Sequence, residues 1–88
     1  MNLQLLKKNL ERTFKNYIIS EMVIEGGTLD FTIGNVTGWV TQSLSHDFSK
    51  STVDVAVFPV GNTADIVRTK SEELDFNKLK EEIKKRLH

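Results

Sequence analysis

The chain has 88 residues, 39% hydrophobic and 27% charged, with a formal net charge of zero, the balance of one small globular domain spanning 1–88. It contains no cysteine, which excludes disulfide staples, thiolate metal sites and a cysteine nucleophile. No segment is apolar for long enough to cross a membrane. The stretch Met1-Asn2-Leu3-Gln4-Leu5-Leu6-Lys7-Lys8 lacks the apolar run of a secretion signal, so a cytoplasmic location is the expectation.

Leu3, Leu6, Leu10 and Phe14 recur at helical spacing, with Lys7, Lys8, Glu11 and Arg12 between them. This predicts an amphipathic helix with Asn2 as its N-cap, ended by Asn16 and the β-rich run Tyr17-Ile18-Ile19. Gly26-Gly27 and Gly34-Asn35 then each separate alternating apolar and polar residues, the pattern of tight hairpins. With Gly26-Gly27 at the turn, Ile24 lies opposite Leu29, Met22 opposite Phe31 and Ser20 opposite Ile33. With Gly34-Asn35 at the next, Ile33 meets Val36, Phe31 meets Gly38 and Leu29 meets Val40. Both hairpins put Leu29, Phe31 and Ile33 on one apolar face, an agreement that a one-residue slip would destroy.

Ser43 to Ser51 reads as a looser connection. Val53-Asp54-Val55-Ala56-Val57-Phe58 is a strand by β-branching and alternation, and Pro59 ends it or places it at a sheet edge. Gly61-Asn62 is a third turn. Ala64 to Thr69 suits either a short returning strand or a loop, and the strand order after Thr41 stays open. Phe76, Leu79, Ile83 and Leu87 form a second helical stripe behind the N-cap Asp75, with Leu74 and Leu79 spaced as a hydrophobic staple and Lys84, Lys85 and Arg86 in the final turns. The expected fold class is α+β: an N-terminal helix, an antiparallel β-meander of four to five strands and a C-terminal helix, with the helices packed on one sheet face.

Catalytic chemistry finds little to work with. His46-Asp47, flanked by Ser43, Ser45 and Ser49, is the nearest approach to a nucleophile–base set, but sequence neighbours in a loop seldom reach triad geometry. One histidine beside one aspartate gives too few ligands for a metal. Glu81 and Glu82 precede Lys85 and Arg86 by four residues, the order of helix-surface ion pairs. The glycines are accounted for by turns, which leaves no phosphate loop. The expectation is a non-enzymatic protein without catalytic residues, metal or cofactor.

A meander followed by a helix, here Val53-Asp54-Val55 through Phe76 to Ile83, resembles in layout the positive-cofactor-four and Whirly families of single-strand DNA binders. The order helix, strands, helix is similar also to the double-stranded RNA-binding domain. Those families hold phosphates with basic residues. In this chain Asn16 to Ser49 carries Glu21, Glu25, Asp30 and Asp47 with no lysine or arginine, and the last helix opens on Ser71-Glu72-Glu73-Leu74-Asp75. Nucleic acid is therefore a disfavoured partner, and the alternative reading of a nucleic-acid binder rests on Lys7, Lys8, Lys15, Lys84, Lys85 and Arg86.

The second sheet face carries more information. By the register above it presents Tyr17, Ile19, Val23 and Trp39 as an apolar contact core, with Glu21, Glu25 and Asp30 as an acidic rim and several threonines between them. Clusters of this kind mark interaction surfaces. They predict a protein-binding module (a small inhibitor, adaptor or assembly subunit) whose partner is another protein with a basic, partly apolar surface. Two other outcomes remain open: a helix covers this face, or the chain is a homodimer or larger homo-oligomer built on it.

Overall fold

A computed structural model describes residues 2–44 and 51–88. The elements run α1 (Leu3–Thr13), β1 (Ile19–Glu25), β2 (Thr28–Ile33), β3 (Val36–Leu44), β4 (Ser51–Pro59), β5 (Val67–Ser71) and α2 (Phe76–Arg86), with a 3₁₀ turn at Thr63–Asp65 before β5. The five strands form one antiparallel sheet in the order β1-β2-β3-β4-β5. The α+β expectation holds, with five strands rather than four. Among the described residues no helix is long and apolar enough to cross a membrane.

Both helices start where the sequence places them. Asn2 Oδ1 accepts from the Leu5 N–H at 3.1 Å and the Asp75 carboxylate accepts from the Lys78 N–H at 3.1 Å, each filling an orphan donor of the first turn. Gly26 and Gly27 both adopt positive φ, 57° and 79°, the backbone that matches a two-residue turn to strand twist.

The two strands beside the long connection extend further than the sequence reading allowed. Gln42, Ser43 and Leu44 pair with Val53, Thr52 and Ser51, which sets β4 beside β3. Ser43 and Ser51 are thus strand residues, not loop. Val67–Ser71 also pairs along β4 and settles the open question at 64–69: the 3₁₀ turn comes first, then the strand.

One face of the sheet carries the core. Leu29, Phe31, Ile33, Val36, Val40, Val53, Val55 and Val57 pack with Leu6, Leu10 and Phe14 of the α1 segment and Leu79 and Ile83 of α2 in one cluster. Helix α1 lies over β1 and β2, and α2 over β4. Gly38 lies under Phe31 in this layer. A Cβ there would stand 2.7 Å from Phe31 Cζ and would strike the Ala56 carbonyl, so the bare backbone is what lets the ring down.

The C-terminal end of α2 is fastened to the sheet. Asn35 in the β2–β3 turn donates from Nδ2 to the Arg86 carbonyl at 2.7 Å and accepts at Oδ1 from the His88 N–H at 3.0 Å. Arg86 pairs with Glu82 at 2.9 Å and with Asp65 at 3.3 Å, tying α2 to the 3₁₀ turn.

Candidate protein-binding face

Since both helices share one side, among the described residues the other side of the sheet has no helix over it. Its residues follow from the register. Glu25, Thr28, Thr41, Asp54 and Lys70 form one row across all five strands, and Val23, Asp30, Trp39, Ala56 and Arg68 form the next. Glu21, Thr32, Thr37 and Phe58 make a third row. The apolar centre is Trp39 with Phe58, edge to face at a centroid distance of 6.0 Å, beside Val23 and Ala56. Val23 is 48% exposed, and Trp39 and Phe58 are half-buried.

Two residues of the expected contact core do not belong here. Strand β1 has a bulge between Ile19 and Glu21 that sets Ile19, not Ser20, opposite Ile33, and Ile19 packs against the helix-side core. One extra residue reverses the facing of everything before it. Tyr17 likewise leaves this face: its ring stands edge-on to the buried Phe14 at 6.1 Å, near the Gly34 turn. Glu21, Val23, Glu25, Asp30 and Trp39 keep their predicted places. The sequence signal for the bulge is Ser20 itself, a polar residue in the core phase between apolar Ile19 and Met22.

Sequence reasoning also missed Phe58, Arg68 and Lys70. Phe58 follows from the alternation of Val53, Val55 and Val57, which sends Asp54, Ala56 and Phe58 to the opposite side. Arg68 and Lys70 depended on β5 being a strand. They give the face a basic border opposite its acidic one. Arg68 reaches Asp54 at 3.7 Å, with Arg68 exposed and Asp54 half-buried.

The polar side chains between these borders are largely satisfied among themselves. Thr28 and Thr41 share a hydroxyl contact at 3.0 Å, Thr32 and Thr37 another at 3.0 Å, and Ser43 and Thr52 a third at 3.0 Å. Thr37 Oγ1 donates to the Phe31 carbonyl at 3.0 Å, so in its pair with Thr32 the donor is Thr32.

Elsewhere the described residues form open grooves on the helix side, among them one of about 520 Å³ between β5 and α2 and one of about 400 Å³ between α1 and the start of α2. Glu82 lines the first. Its burial raises the carboxyl, but hydrogen bonds and charges from Lys85 and Arg86 outweigh that and hold it below the usual glutamate range. Arg86, a cation of the nucleic-acid reading, is taken up by these ion pairs, with only 9% of its side chain exposed. Among the described residues no cluster of acids and histidines could hold a metal ion. His46 and Asp47 lie outside the described residues. No protein-family model, curated protein or solved structure matches this chain.

Proposed function

We propose that this chain is a non-enzymatic protein-binding module, an inhibitor, adaptor or assembly subunit, that works through the helix-free face of its sheet. The observation that carries the reading is the Trp39–Phe58 pair with Val23 on a broad sheet face that no helix covers. Large aromatics at the centre of a flat patch, ringed by charge, are typical anchors of protein interfaces. Glu21, Glu25 and Asp30 on the β1–β2 side favour a partner that is basic and partly apolar there.

A photo-reactive residue in place of Val23 tests this directly. Irradiation in a native lysate is expected to attach the chain to a discrete protein, identified by mass. Adding Trp39→Ala, with an unchanged far-ultraviolet spectrum, is expected to abolish that product. No product at all, or one indifferent to Trp39, would sink the reading.

A further inference from the structure

We infer that the occupant of the helix-free face is a second copy of this chain, stacked face to face about a two-fold axis parallel to β3. The inference rests on reading this face as a protein-binding surface, and it names the partner. Apart from Asp54 on β4, which Arg68 reaches at 3.7 Å, the charges of the face are segregated by strand, with Glu21 and Glu25 on β1 and Asp30 on β2 at one border, and Arg68 and Lys70 on β5 at the other. The basic, partly apolar surface that the acidic border calls for is therefore present on the chain itself.

Symmetry then decides the stacking. Glu25 and Lys70 stand in the same cross-strand row, linked through Thr28, Thr41 and Asp54. Turning one sheet over onto another about an axis along the strands brings β1 of one copy onto β5 of the other and keeps each row in place. Glu25 then meets Lys70 of the partner subunit, and the relation repeats on the other side of the axis. An axis across the strands would set acid on acid and cation on cation, so the charge layout selects the first arrangement. Within the chain Glu21, Glu25 and Lys70 have no ion-pair partner among the described residues.

The centre of the face suits the same arrangement. Trp39 and Thr41 lie on β3, the middle strand, so they fall beside the axis and meet their own counterparts. The paired threonine hydroxyls already have partners, which lowers the cost of taking them out of water. Strands spaced at ~4.8 Å and about six residues deep cover roughly 24 Å by 20 Å, so two copies bury about 1,000 Å² before side-chain relief is counted. That meets the lower threshold of about 1,000 Å² for a biological interface, and aligned sheet packing needs only a rotation of about 30° between the strands.

Light scattering and sedimentation of the full chain test the inference. The wild type is expected to be a dimer at micromolar concentration. Glu25→Lys and Lys70→Glu are each expected to weaken it by at least about tenfold, because two symmetry-related pairs become like-charged. The combined Glu25→Lys/Lys70→Glu chain is expected to recover wild-type association, since the swap rebuilds both pairs with reversed sign. Thermal melts of each variant separate loss of association from loss of fold. A monomeric wild type, a dimer that ignores both single changes, or a swap that fails to restore association would overturn the inference. A monomer whose Val23 probe still captures a foreign protein overturns self-association alone, whereas a monomer whose probe captures nothing overturns the protein-binding reading with it.

Discussion

Phe31 and Thr32 are neighbours in β2 and point to opposite faces of the sheet, and their surroundings have little in common. Phe31 is fully buried among Leu, Ile and Val side chains supplied by strands and both helices. Thr32 stays half-buried and spends its hydroxyl on Thr37. The helix-covered face is held by close packing, where shape tolerances are tight. The other face is organised by cross-strand pairs that ask little of their neighbours. Stability is therefore concentrated on one side, and the other is free to be selected for contact with something else.

The sharpest way to break this contrast is Gly38→Ala, which adds one methyl to the covered face. The new Cβ would meet Phe31 Cζ at 2.7 Å and the Ala56 carbonyl oxygen, and strand backbone cannot swing aside as a flexible side chain would. Overpacking of this kind costs roughly 3 kcal/mol. Urea denaturation should show the loss as a lower midpoint at unchanged slope. A change under about 1 kcal/mol would mean that the covered face is as tolerant as the open one.

A smaller effect is expected at the α2 anchor, on the covered side but outside its packed core. Glu82 holds Arg86 and Lys85, and its carboxyl titrates below the ordinary glutamate value because their stabilising effect exceeds the opposing burial. A carboxyl depressed in the folded state binds its proton less readily than in the unfolded chain. Its contribution is thus complete above the unfolded value of about 4.3 and fades as pH falls through the lower folded value. Glu82→Gln is expected to cost about 1 kcal/mol at neutral pH. The gap between variant and wild type should narrow as pH falls below the unfolded value and close once it is below the lower folded one. A gap independent of pH would show that packing, not charge, fastens the helix.

Most of the covered face was legible in the sequence, because several constraints agree there. Two glycine turns, the alternation of Leu29, Phe31 and Ile33, and two capped apolar stripes specify one arrangement. The open face was only partly legible. A single bulge at Ser20 moved Ile19 to the core side, and one polar residue in the core phase is too weak a mark to place an inserted residue by alternation. The basic border was hidden for another reason. Val67–Ser71 has one strongly apolar residue, Val67, and draws its strand character from pairing with β4 rather than from its own pattern. An edge strand lined with Arg68 and Lys70 looks like a loop until its neighbour is known, and such charges also guard an edge against unwanted pairing.

The smallest effect is expected on the open face itself, and there the comparison is most exacting. Thr32→Val keeps the β-branched shape and removes the bond that Thr32 donates to Thr37, while Thr37 keeps its own bond to the Phe31 carbonyl. Thr37 is only half-buried, so water is expected to replace the lost donor. Valine is at least as good a strand residue as threonine, so the two contributions oppose each other. The net change in unfolding free energy should stay within about 0.5 kcal/mol of wild type, several-fold below that of Gly38→Ala. A loss near 2 kcal/mol in the same urea titration would make the hydroxyl ladder part of the structural core. The open face would then owe its composition to folding, and the case for a binding surface would weaken accordingly.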